Sequence, residues 1–201
     1  MHYLVFGGSK GLGLNICQQL NDLGHVVTTV QRTKGAVGAW QKFDLTKRSD
    51  WDSIIQFVQN STPDHIIYCS GGGPYGVYDQ KKFSDHEWAF NLNFLFPAFM
   101  IHQLKIPMTF VGSAIAESKP DPLASSYAAS KHGLLGLIRS VKAESPDRKI
   151  KLFSPGYMDT GMLPAHAWPR QQGLQKPPGI VAKILIDWIQ TDDESFHKVV
   201  D

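Results

Sequence analysis

Cysteine is scarce in this chain of 201 residues: Cys17 and Cys69 are its only two, far apart and neither in a Cys-x-x-Cys pair. That spacing excludes a disulfide framework and a zinc knuckle, and leaves two buried thiols as the expectation. An excess of one charge is missing too, since 20 Lys and Arg stand against 18 Asp and Glu. The cations are scattered, with no basic stripe to follow a phosphate backbone, so nucleic acid is not an expected partner. Long apolar runs are also absent. The longest, around Phe94 to Ile101, is too short to span a bilayer, and the N-terminus shows no basic stretch followed by an apolar signal segment. A soluble cytoplasmic protein with no membrane partner and no metal is expected. No Pro/Ser-rich linker, internal repeat or low-complexity tract interrupts the chain, so residues 1–201 read as one domain.

What the sequence does contain is an alternation of short β-branched or apolar runs with helical patterns. The first run, Met1 to Phe6, leads into Gly7-Gly8-Ser9-Lys10-Gly11-Leu12-Gly13 and then a helical period at Gly13, Ile16, Cys17 and Leu20. Strand, glycine turn and helix together suit a dinucleotide: glycines let the backbone approach a pyrophosphate, and the helix N-terminus supplies free N–H groups. The second strand, His25 to Val30, is followed by Gln31 and Arg32 rather than by an acid. An acid there would bond the adenosine ribose of NAD, whereas Arg32, with Lys10 in the turn, suits a 2′-phosphate. Asp44, after a weak third strand from Ala39 to Phe43, either accepts a bond from an adenine amino group or caps the following turn.

Further along, Ser49 is the expected N-cap of a helix to Val58, and a fourth strand from Asp64 runs into Ser70-Gly71-Gly72-Gly73. Ser84, with Glu87 as capping-box partner, is expected to open one long helix reaching His102. Asn91 and Asn93 are the polar residues inside it, and at least one needs water or backbone partners near the cleft. A fifth strand, Pro107 to Val111, delivers the Ser113 hydroxyl to the same edge. The next helix, capped by Ser125 or Ser126, carries Tyr127 and Lys131 four apart on one face. A cation beside a phenol favours the phenolate and brings it toward acid–base use at neutral pH. After the sixth strand, Lys149 to Phe153, come Pro155, Gly156 and Thr160, then a loop at about 161–177 that could cover a substrate, a final helix, Gly179 to Ile189, and a short last strand. Strands alternating with helices imply an α/β Rossmann fold with a doubly wound parallel sheet of about seven strands.

Taken in order, these motifs resemble the short-chain dehydrogenase/reductase family over nearly the whole chain. Gly7, Gly11 and Gly13 match its glycine motif, with Phe6 in place of a threonine. The resemblance assigns Ser9, Lys10, Leu12, Arg32, Asp44, Leu45, Ser70, Gly71, Gly72, Pro155, Gly156 and Thr160 to the cofactor. It makes Asn91, Ser113, Tyr127 and Lys131 the catalytic tetrad, three of which, Asn91, Tyr127 and Lys131, also touch cofactor. Where the family usually has Asn-Asn-Ala-Gly, this chain has Tyr68-Cys69-Ser70-Gly71.

The resemblance implies an NADP(H)-dependent carbonyl reductase or alcohol dehydrogenase, with NAD(H) also possible and a homodimer or homotetramer expected. The alternative is a non-catalytic NADP(H)-sensing or signalling Rossmann protein. An epimerase or dehydratase is a weaker rival, because such enzymes carry a larger C-terminal domain. The expected pocket is apolar, lined by Tyr75, Tyr78, Met158, Leu163 and Trp168, with Arg170 as the nearby cation and a small or medium carbonyl compound as substrate.

Overall fold

A strand buried on both faces must be apolar on both, and β1 (His2–Phe6) is: Tyr3 and Val5 join one apolar cluster while Leu4 and Phe6 join another. The computed structural model describes residues 1–117, 122–191 and 193–200. In it β1 is the third strand of a seven-stranded sheet of order β3-β2-β1-β4-β5-β6-β7, every pair parallel. The other strands are β2 (Val26–Gln31), β3 (Ala39–Lys42), β4 (His65–Tyr68), β5 (Met108–Val111), β6 (Ile150–Pro155) and β7 (His197–Val200). The expected Rossmann architecture is what the chain adopts.

Helices cover both faces. On one lie α1 (Gly11–Asp22) and α7 (Pro178–Gln190), packing Ile16, Leu20, Leu185 and Trp188 on Val5, Ile67 and Phe153. On the other lie α2 (Trp51–Ser61), α3 (Phe83–Phe90), α4 (Phe96–Gln103) and α5 (Ser125–Glu144). A single turn, α6 (Trp168–Gln171), interrupts the late loop. Strand order reverses between β1 and β4, so the crevice beyond their carboxyl ends is where this fold binds ligands.

The caps differ from expectation. Ser49 lies in a 3₁₀ turn, Arg48–Asp50, ahead of α2 and bonds Asp50, not a helix N–H. Ser84 lies inside α3, which starts at Phe83 with Lys82 in the cap position and no capping side chain. Ser125 and Ser126 fall inside α5, with Ala124 at its cap. In each case tertiary packing carries the helix start, so a cap worth about 1 kcal/mol is dispensable.

The expected single helix from Ser84 to His102 is three segments, with a π-helical turn at Asn91–Leu95 between α3 and α4. Pro97 explains the widening. It has no N–H to give the Asn93 carbonyl and its ring crowds that carbonyl, so the ladder changes register there.

Candidate active site

The glycine turn is required by close contact. A Cβ on Gly13 would stand 2.1 Å from the Gly7 carbonyl oxygen, and one on Gly7, whose φ is +89°, would stand 2.7 Å from Ser70 Oγ. Gly11 brings the turn against the segment after β6, with its Cβ position 3.2 Å from Thr160 Cγ2. The residues assigned to the cofactor from the three strand ends β1, β4 and β6 therefore meet at one crevice. Within the turn Ser9 is half-buried, Lys10 is exposed at the N-cap of α1, and Leu12 is buried in the core beneath.

On the adenosine side, Arg32 is exposed and, like Lys10, appears in no ion pair among the described residues. Arg32, Lys42, Phe43, Asp44, Lys47 and Asp50 line a cavity of about 320 Å³. Asp44 caps the turn that follows it: its Oδ1 accepts the Thr46 N–H at 3.1 Å and the Thr46 hydroxyl at 2.7 Å. Burial opposes its charge, but the two Thr46 bonds and the charges of Arg32 and Lys47 outweigh this and hold the carboxyl below its ordinary value. Leu45 is buried, and its carbonyl accepts the Trp51 indole N–H at 2.9 Å. Gln31, at the end of β2, is 6 % exposed, and neither polar atom of its amide has a partner among the described residues. The amide lies between Gly8 and Gly35, beside the glycine turn. A buried, unsatisfied amide at that edge fits a polar ligand.

The catalytic candidates come together around the ends of β4 and β5. Lys131, 3 % exposed, donates through Nζ to the Val111 carbonyl at 2.7 Å, two residues before Ser113. The same Nζ stands 5.6 Å from the centre of the Tyr127 ring. A Cβ on Gly73 would lie 3.0 Å from Tyr127 Cβ, and one on Gly71 would lie 3.6 Å from Lys131 Nζ. Ser113 is 6 % exposed and Tyr127 half-buried. Burial lowers the Lys131 ammonium from 10.5 to about 8, only partly countered by Cys69 beside it.

Of the two asparagines, the structure brings Asn93 to this cluster. It is fully buried, and its Oδ1 accepts the Gly72 N–H at 3.1 Å while its Nδ2 donates to the Gly72 carbonyl at 2.7 Å and to Ala89 at 2.8 Å. Its Oδ1 is also 3.2 Å from the Cβ position of Gly71, next to Lys131. Asn91 is half-buried two residues earlier in the same π turn, outside this network of bonds. The π register decides which asparagine faces inward, and sequence periodicity carries no sign of it.

Tyr68, standing where the family has asparagine, is fully buried and donates its hydroxyl to the Leu92 carbonyl at 2.6 Å. It thereby satisfies one carbonyl of the π turn and ties β4 to it. Burial raises its phenol well above 10.0. Burial likewise pushes the Cys17 thiol up to about 12.

Among the expected pocket residues, Tyr75 meets His166 edge-on with ring centroids 5.9 Å apart, and Tyr157 meets Trp168 at 5.6 Å. The first contact joins the loop after β4 to the late loop, and the second ties the segment after β6 to α6. Met158 packs instead on the α1/α7 core. Arg170 is not a free pocket cation: it pairs with Asp159 at 2.7 Å and donates to the carbonyls of Thr160 and Leu163. That brace holds the segment after β6 against α6, and no sequence period points to it. Pro155 ends β6 and Gly156 donates its N–H to the Val200 carbonyl at 2.8 Å, docking β7.

Comparison with known proteins agrees with the architecture. The family model described as short chain dehydrogenase matches residues 1–169. The 3-oxoacyl-[acyl-carrier-protein] reductase MabA of Mycobacterium tuberculosis is 29% identical over 96% of this chain and 86% of its own length. The cyclic-di-GMP-binding biofilm dispersal mediator protein of Escherichia coli is 28% identical over 81% of this chain and 75% of its own. Among solved structures, a short chain dehydrogenase from Burkholderia cenocepacia in complex with NADP superimposes with a TM-score of 0.84 at 20% identity, covering 99% of this chain and 95% of that one.

Proposed function

The chain belongs to the short-chain dehydrogenase family, and from that premise we propose that it is an NADP(H)-dependent oxidoreductase of carbonyl reductase or alcohol dehydrogenase type. The observation that carries the reading is the convergence of Tyr127, Lys131 and Asn93 on Gly71–Gly73 and Val111, at the crevice edge beside Ser113. NADP(H), when bound, supplies the hydride exchanged with the substrate carbon.

The remaining chemistry belongs to the protein. Gly7, Ser9, Gly11 and Leu12 with the N-terminus of α1 hold the pyrophosphate, and Arg32 and Lys10 meet the 2′-phosphate. Tyr127 gives its proton to the carbonyl oxygen, and the Ser113 hydroxyl bonds that oxygen as negative charge grows. Lys131 bonds the nicotinamide ribose hydroxyls and favours the Tyr127 phenolate. At about 8 its own pKa leaves it mainly cationic at pH 7. Asn93, rather than Asn91, supports Lys131 from behind by fixing the Gly72 backbone. Pro155, Gly156 and Thr160 hold the nicotinamide end.

The substrate class we favour is a small or medium carbonyl compound. The 3-oxoacyl reductase named among the relatives makes a 3-oxoacyl thioester the first candidate to assay. The test is a panel of 3-oxoacyl thioesters, diketones and aldehydes with NADPH and with NADH, on the wild type and on Tyr127→Phe. NADPH consumption that Tyr127→Phe reduces by about 100-fold or more supports the reading, since a positioned acid–base group contributes about 100- to 10,000-fold. NADPH binding with no turnover across the panel favours the rival sensing role instead.

A further inference from the structure

One buried polar side chain beside this site has no part in the chemistry above. His86, on α3, is 5 % exposed. Its Nε2 lies 3.0 Å from the Tyr78 carbonyl oxygen and its Nδ1 2.5 Å from Ser126 Oγ. A carbonyl only accepts, so Nε2 carries the ring proton. In the neutral ring Nδ1 is then the acceptor, and the Ser126 hydroxyl donates to it. Ser126 is itself 3 % exposed and immediately precedes Tyr127 in α5. The imidazole also stacks on the Tyr78 ring, centroids 4.2 Å apart at 21°.

Tyr78 opens the short turn, Tyr78–Gln80, that closes the loop starting at Gly73, and Gly73 is packed against Tyr127. Midway, Gly76 donates its N–H to the Leu123 carbonyl at 2.7 Å. Tyr75, in the same loop, carries the contact to His166. One imidazole therefore links the first turn of the tyrosine helix to the far end of the loop after β4.

We propose that His86 is a positioning residue with two separable effects: through Ser126 it sets the placement of Tyr127, and through Tyr78 it holds the 74–80 loop as one wall of the substrate pocket. This rests on the reductase reading for its kinetic consequence, not for its structural one. The two nitrogens can be dissected, because a glutamine amide reaches about as far as Nε2 and an asparagine amide about as far as Nδ1. His86→Gln keeps a donor for the Tyr78 carbonyl and loses Ser126. His86→Asn keeps the Ser126 partner and loses Tyr78.

The experiment measures kcat and KM for each variant and for Ser126→Ala, with NADPH and whichever of an acetoacetyl thioester or benzil the wild type reduces. Losing one hydrogen bond to a positioned group is worth about tenfold. His86→Gln and Ser126→Ala are expected to lower kcat about tenfold with little change in KM, and His86→Asn to raise KM about tenfold with kcat nearly kept. Kd for NADPH, followed by its fluorescence, is expected to stay at the wild-type value in all three. Parallel loss of kcat and KM in both histidine variants, or no change in either, overturns the proposal. Amide exchange provides an arm that needs no substrate: in His86→Asn, residues 75–80 are expected to exchange about tenfold faster while β1 keeps its protection. Unchanged exchange in the loop overturns the proposal as well. Should the wild type reduce no carbonyl, the reductase reading fails and the exchange result alone decides on the clamp.

Discussion

Lys131 Nζ donates to the carbonyl of Val111 at 2.7 Å, so the buried ammonium beside Tyr127 is held by the strand end that leads to Ser113. Helix α5 and strand β5 are thus locked to each other through the charge the proposed chemistry uses.

That ammonium also sets a pH dependence. Burial lowers it from 10.5 to about 8, so the folded state gives up this proton before the unfolded chain does. The unfolded chain binds more protons between those values, and stability attributable to this group rises as pH goes from about 8 to 10.5. In the protein without nucleotide, the stability of wild type relative to Lys131→Met should shift in favour of wild type by up to about 3 kcal/mol between pH 7.5 and 10.5. Urea unfolding at several pH values measures it. A constant gap would mean that the buried site does not penalise the charge.

His65 works in the acid range. Burial, followed by the charge of Lys151, lowers its pKa from 6.5 to about 4, and its Nε2 lies 2.9 Å from Thr109 Oγ1. As pH falls from 6.5 to 4 the unfolded chain takes up a proton that the folded chain refuses, so stability is lost across that window. Thermal unfolding of His65→Gln, which keeps a partner for Thr109, should show a shallower acid slope, with about 3 kcal/mol less lost by pH 4.

The two asparagines should separate cleanly. Asn93→Ala strips three hydrogen bonds from a fully buried site and orphans both polar groups of Gly72, which is expected to cost about 2–4 kcal/mol. Asn91→Ala should stay within about 0.5 kcal/mol. Chemical denaturation of both checks the ranking, and turnover should fall with Asn93 alone.

Gln31 gives a prediction of the opposite sign. Its amide is buried without partners among the described residues, so Gln31→Leu should stabilise the nucleotide-free protein by about 1–2 kcal/mol. The same change should weaken NADPH binding, read by fluorescence titration. Tighter binding would remove the amide from the nucleotide site.

Much of this molecule is written along the chain. Strand and helix alternation, the glycines that permit a close turn, and Tyr127 four residues before Lys131 are local features, set by side-chain period and backbone sterics, and they specify the parallel sheet and the crevice edge. Ser49, Ser84 and Ser125 or Ser126, the N-caps expected from sequence, do not cap their helices, because capping is a small local gain that core packing overrides. What only the assembled fold decides is which groups become buried and what they then meet. Pro97 shifts the helical register so that Asn93, not Asn91, turns inward, and Arg170 leaves the pocket for Asp159. Ser126 finds a histidine forty positions away. Those outcomes depend on contacts between distant segments, and no period in the sequence encodes them.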